Sequence, residues 1–129
     1  MISLPSSVHV FLHTPPTDLR KGFDALCGVV TTAFSQEPTS GHLFLFVNRR
    51  RDRIKILYWD RDGLAIWYKR LENPGTFQIP TTASEAASIE MTTTQLSLIL
   101  SGIDLSSARQ RKRYQRPTPT AEKSIGAPL

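Results

Sequence analysis

Arg49-Arg50-Arg51-Asp52-Arg53 sets four arginines around a single aspartate in the middle of the chain. The guanidinium group is a planar fork whose paired N–H donors match the oxygens of a phosphate. A loop of this content is a candidate for holding a polyanion. Two apolar runs follow it, Ile54–Trp59 and Leu64–Leu71, each with the length and composition of a strand. Asp62-Gly63 between them is a hairpin signal. A two-residue turn there sets Leu57 opposite Tyr68 and Lys55 opposite Arg70. Side chains alternate between the faces of a strand. Arg53, Lys55, Tyr68 and Arg70 then share one face at the end away from the turn, while Ile54, Ile56, Tyr58, Trp67 and Leu71 form an apolar layer on the other. Cations neutralise phosphates, and an aromatic ring stacks on a base or sugar. The basic face thus extends the arginine loop into a candidate nucleic-acid-binding surface, although the ordinary solvated side of an antiparallel sheet has the same composition.

A third basic element lies near the C-terminus, Arg109-Gln110-Arg111-Lys112-Arg113-Tyr114-Gln115-Arg116. Residues 1–105 contain 10 Lys/Arg and 10 Asp/Glu and are neutral; residues 106–129 contain 6 Lys/Arg and 1 Glu and carry the whole net charge of +5. A basic tail on a neutral body points to a polyanionic partner, with nucleic acid the commonest. Arg109, Arg111, Lys112, Arg113 and Arg116 are its candidate phosphate contacts.

Catalytic chemistry finds little support. Two-metal nucleic-acid chemistry needs converging carboxylates, and Asp18, Asp60, Asp62 and Glu72 are candidates by type. Asp60 and Asp62 flank a turn, where Asp is common for backbone reasons; Asp18 reads as a helix cap and Glu72 as a strand-end surface residue. His9, His13 and His42 are the three histidines, and with Cys27 as the single cysteine they form no zinc pattern. No glycine-rich phosphate loop and no nucleophile elbow is present. The expectation is a non-enzyme without metal or cofactor. Cys27, in Ala25–Val30, reads as a small buried hydrophobe.

The elements that must position these residues read as α+β. Val8–Leu12 is a first strand stopped by Pro15-Pro16. Thr17-Asp18 offers an N-cap, and Leu19, Phe23, Leu26 and Val30 recur at helical spacing, predicting a helix from about Asp18 to Phe34. Leu43–Val47 and the two runs of the hairpin form an antiparallel meander with that helix packed on one face. Phe77–Ile79 and Ile89–Met91 are further short strands. Thr92-Thr93-Thr94 caps a short C-terminal helix in which Leu96, Ile99 and Leu100 share a face and Gly102 provides the stop. After Leu105 the apolar pattern disappears, so residues 1–105 are expected to form the core domain and residues 106–129 a disordered basic tail.

The chain has 129 residues, enough for one core. One cysteine excludes an intramolecular disulfide framework. No run approaches the roughly 18 apolar residues of a membrane span, and Met1–Val10 lacks the features of a signal peptide. A bacterial cytoplasm is the simplest expected location.

Thr17-Asp18-Leu19-Arg20-Lys21-Gly22-Phe23-Asp24 resembles a motif near the start of the small TnpB-like accessory proteins of bacterial insertion sequences of class sixty-six. Ser40–Phe46, Asn48–Arg53, Lys55–Asp60 and then Gly63 with Trp67–Glu72 resemble that family's central block. The resemblance extends over roughly residues 8–105. Leu19 stands where the family usually has Met, and Gln78-Ile79-Pro80 lacks an aromatic often found before the proline. The resemblance implies a role in transposition beside a larger, separately encoded transposase that holds the strand-transfer carboxylates. It carries over no catalytic residue. Two functions follow: an accessory factor that binds DNA, at transposon ends or non-specifically, or a protein-interaction module that positions the transposase without touching DNA.

Overall fold

Leu43–Val47 is buried at every position. Alternation sends Leu43, Leu45 and Val47 to one side and Phe44 and Phe46 to the other, so this strand needs a packed layer on each face. The computed structural model, which describes residues 7–72, 75–80 and 86–101, supplies both layers. Strand β1 (Val10–His13) leads through helix α1 (Phe23–Val29), continued by a π-helical stretch (Val30–Phe34), to β2 (Leu43–Val47). Strands β3 (Arg53–Asp60) and β4 (Gly63–Arg70) follow, then β5 (Ser88–Met91) and helix α2 (Thr93–Ser101). The five strands form one sheet in the order β4-β3-β2-β1-β5.

The expected meander is present as β2-β3-β4, with α1 on one face. β1 joins it in parallel with β2, across the helical crossover, and β5 closes the far edge antiparallel to β1. On the α1 face, Phe44, Phe46 and Leu57 pack with Leu19, Leu26, Val30 and Phe34. On the opposite face, Val10, Leu12, Leu45, Ile54 and Ile56 pack with Leu96, Ile99 and Leu100 of α2. Twelve of the largest side chains are essentially sealed from solvent, Phe44, Phe46 and Phe77 first among them.

Local chemistry explains the ends of the helices. α2 opens with a reciprocal cap: the Thr92 hydroxyl accepts the Gln95 N–H at 3.0 Å, and the Gln95 side-chain oxygen accepts the Thr92 N–H at 2.9 Å. The Gly102 stop expected for it lies outside the described residues. α1 begins at Phe23, five residues later than the spacing predicts. The Asp18 carboxylate is spent locally: Oδ1 accepts the Arg20 N–H, and the Lys21 N–H reaches the Asp18 carbonyl. That turn is not continued, because Gly22 is extended (φ −103°, ψ −156°) and serves as the N-cap in place of Asp18.

The hairpin also departs from expectation. Its turn is Arg61-Asp62, with Asp60 paired to Gly63, so Lys55 lies opposite Tyr68 and Arg53 opposite Arg70. Arg61 itself adopts the left-handed conformation (φ 58°) that the glycine was expected to supply. This register sets Leu57 against Ile66 and Ile56 against Trp67, pairing apolar side chains across both faces. The shift is two residues, so each side chain keeps its predicted face. Phe77–Ile79 is not a strand. Phe77 is nevertheless 1% exposed, and its N–H is bonded to the Arg51 carbonyl, so an irregular segment plugs the α2-side core. Cys27 is free and half-buried against the α1 cluster, and burial pushes its thiol pKa up.

Candidate nucleic-acid interface

The β2–β3 connection is short and tightly wired. The Asn48 side-chain carbonyl accepts the N–H groups of Asp52 and Arg53, at 3.1 and 3.0 Å, and its amide donates to the Asp52 carboxylate at 2.7 Å. The Asn48 carbonyl accepts the Arg51 N–H, whose residue turns the chain with φ 61°. The loop is anchored from outside as well, since the Asp52 and Arg51 carbonyls accept the N–H groups of Leu71 and Phe77. Asp52 therefore staples the loop, and the arginines stand on a fixed frame.

Arg49, Arg50 and Arg51 are exposed, and among the described residues their side chains have no ion-pair or hydrogen-bond partner. The other predicted cations are more committed. Arg53 Nη1 donates to the Tyr68 hydroxyl at 3.3 Å. Lys55 Nζ donates to the Lys21 carbonyl at 3.0 Å and lies 5.0 Å from the Tyr68 ring centroid, tying β3 to the segment before α1. Arg70 shares its face but forms an ion pair with Glu72 at 3.1 Å. The sequence-predicted cluster of Arg53, Lys55, Tyr68 and Arg70 is thus brought together on one face. Arg109, Arg111, Lys112, Arg113 and Arg116 lie outside the described residues.

An open cleft of about 580 Å³ separates the arginine loop from the segment Pro16–Arg20, with Tyr68 and Arg53 on its wall. Composition had not singled out the second wall. Arg20 forks onto Asp18, with Nη2 2.7 Å from Oδ2, and this contact holds the Asp18 carboxyl well below the usual carboxylate range. Thr17 sits deeper, 7% exposed. Its N–H is bonded to the Val47 carbonyl, and its buried hydroxyl has no partner among the described residues. The signal for this wall lies in Thr17–Arg20, the stretch that opens the family motif, where Asp18 has the same residue type as a helix cap.

At the other end of the sheet, His9 Nδ1 meets Glu90 Oε2 at 2.5 Å, and His42 Nδ1 accepts the His9 N–H at 3.0 Å. Desolvation lowers the His42 pKa, with His9 adding to the effect. Among the described residues, no group of three or more His, Cys, Asp or Glu side chains is placed to hold a metal ion. No helix among them is long and apolar enough to cross a membrane.

A mixed sheet with a helix on each face, presenting arginines from a stapled loop beside an open cleft, defines a small α+β protein with a rigid cationic surface. Residues 8–110 match the family described as IS66 Orf2 like protein. The chain is 32% identical over 121 residues to the uncharacterized protein y4jC of Sinorhizobium fredii, covering 94% of this chain and all of that protein. It is 36% identical over 117 residues to the uncharacterized protein y4hO of the same organism, covering 89% of this chain and 96% of that protein. No solved structure matches. The chain belongs to the IS66 Orf2-like family. That membership implies an accessory role in transposition, in association with an IS66 transposase.

Proposed function

We propose that this accessory role is exercised by binding DNA, with the stapled arginine loop as the principal contact. The observation that carries this reading is that Arg49, Arg50 and Arg51, on a loop fixed by Asn48 and Asp52, have no side-chain partner among the described residues. Guanidinium groups on a pre-ordered loop, without carboxylate partners among the described residues, meet phosphates without first breaking an ion pair or ordering a loop. Arg53, Lys55, Tyr68 and Arg70 flank the loop, and the basic segment containing Arg109, Arg111, Lys112, Arg113 and Arg116 adds sequence-independent attraction. The protein acts as a binding factor without catalysis of its own, on the DNA of transposon ends or on DNA generally, in the cytoplasm of the host cell.

The test is an affinity titration against element-end and random duplexes across a salt series. Changing Arg49, Arg50 and Arg53 together to Ala should flatten the dependence of log affinity on log salt by roughly two to three units, at about 0.9 per lost contact. All three side chains are exposed, so the melting temperature should hold. Unchanged binding would remove the loop from the interface. The second reading, a module that positions the transposase without contacting DNA, draws on Phe23, 46% exposed at the head of α1. It takes first place if the intact protein binds no duplex at low salt.

A further inference from the structure

We infer that the cleft between Pro16–Arg20 and the arginine loop seats one phosphate of a single nucleic-acid strand, with the adjoining nucleotide ring against Tyr68. This rests on the DNA-binding reading and adds the form of nucleic acid that fits.

The cleft is built for an anion. Arg20, Arg49, Arg50 and Arg53 line it against Asp18 and Asp52, a formal balance of +2 from four cations and two carboxylates. Asp18 is neutralised by its ion pair with Arg20, while Asp52 keeps its charge but has one oxygen turned onto the Asn48 amide, leaving Arg49, Arg50 and Arg53 to outweigh it. Thr17 adds an observation independent of charge. A hydroxyl buried without a partner is costly and uncommon in a folded protein. Its neighbours do not satisfy it, although the backbone around it is fixed by the bond to Val47. The hydroxyl is sealed from solvent as the loops stand, so an acceptor oxygen reaches it only when the Thr17 segment and the arginine loop part slightly, and phosphate is the acceptor these arginines select.

Tyr68 decides between strand forms. The ring is 47% exposed on the wall of the cleft, with its hydroxyl held by Arg53 and Lys55 set over it. A duplex offers phosphates and sugars on its outside and keeps all but its terminal bases stacked within, so along its length it has no base face to place on this ring. An unpaired strand offers a phosphate and an unstacked ring side by side, and aromatic side chains that hold single strands use that pairing. At about 580 Å³, the cleft also lies within the range of pockets that take small organic groups.

The experiment compares a labelled single strand of about 12 nucleotides with the blunt duplex of the same sequence. Both are titrated against the intact chain by fluorescence anisotropy at several salt concentrations. The single strand should bind about tenfold more tightly, the gain expected from one stacked base. Thr17→Val keeps the shape and removes the hydroxyl. It should weaken single-strand binding about fivefold, the scale of one lost hydrogen bond, with duplex binding unchanged and the melting temperature unchanged or higher. Tyr68→Leu, at a residue 47% exposed, should weaken single-strand binding about tenfold and serves equally if Thr17→Val folds poorly. Duplex binding equal to or tighter than single-strand binding, with neither substitution having an effect, would overturn the cleft inference and leave the DNA-binding reading standing. Binding of neither form at low salt would overturn both.

Discussion

Asn48 and Asp52 close the arginine loop on each other: the Asn48 amide donates to Asp52 Oδ1 at 2.7 Å, and its carbonyl oxygen accepts the Asp52 N–H at 3.1 Å. Asn48→Ala removes these bonds and the third one, to the Arg53 N–H. At about 0.5–1.5 kcal/mol each in net terms, the loss should be about 2 kcal/mol. A thermal melt should then drop by roughly 10 °C, given the 4–8 °C per kcal/mol typical of a domain this size. A melting temperature within about 1 °C of the parent would mean that the loop is held by its backbone anchors alone.

Asp18 gives a prediction in pH. Its carboxyl is held well below the ordinary value of 3.8, first by the Arg20 side-chain hydrogen bond and then by the Arg20 N–H. A depressed folded-state pKa favours the native state above the unfolded pKa, and the contribution is lost as pH falls through the folded value. The window therefore lies below pH 3.8. The Arg20 side chain is largely exposed and that of Asp18 about half exposed, so the effect on stability is small. The direct measurement is an NMR titration of the Asp18 carboxyl, which should move up towards its ordinary range in Arg20→Met. An unmoved titration would show that the guanidinium is not what holds it.

Phe77 lies in neither helix nor strand and is 1% exposed. Phe77→Ala should cost about 3–5 kcal/mol, as for a core phenylalanine within a regular element. Denaturant unfolding measures this, and a cost under about 1 kcal/mol would mean that the segment is a surface strap rather than part of the core.

Ending the chain after Leu105 should leave thermal unfolding nearly unchanged, because apolar periodicity stops there. The same truncation should flatten the salt dependence of DNA binding by nearly three units if the basic segment makes about three phosphate contacts. A large fall in melting temperature would show that residues 106–129 belong to the core domain.

The period-2 pattern of Ile54–Trp59 and Leu64–Leu71 assigned the two faces of the hairpin correctly, because a two-residue register error leaves parity intact. It could not place the turn, since Arg61 accepts a backbone conformation normally left to glycine or asparagine. The parallel pairing of β1 with β2 was equally hidden, for a first strand pairs according to where the helix returns the chain. In the candidate interface, residue type found the arginines. It did not reveal that Glu72 neutralises Arg70 or that Lys55 is tied to the Lys21 carbonyl. The unpartnered hydroxyl of Thr17 among the described residues is a property of three-dimensional surroundings and leaves no trace in composition.

The place of β1 inside the sheet has a consequence for synthesis on the ribosome. Its neighbours are Leu43–Leu45 on one side and Ser88–Met91 on the other, so Val10 pairs with Met91 across most of the chain. At about 5–20 residues per second, the first strand emerges roughly 4–16 s before its last partner is made. Through that interval its outer edge is open to strands of other nascent chains. The meander β2-β3-β4 needs only local pairing, and its last strand is made about 1–4 s before β5. Folding should therefore begin in the middle of the chain and finish at its first strand. A chain that stalls before Ser88 would carry a formed meander and an uncapped β1, the form most exposed to aggregation and to proteolysis.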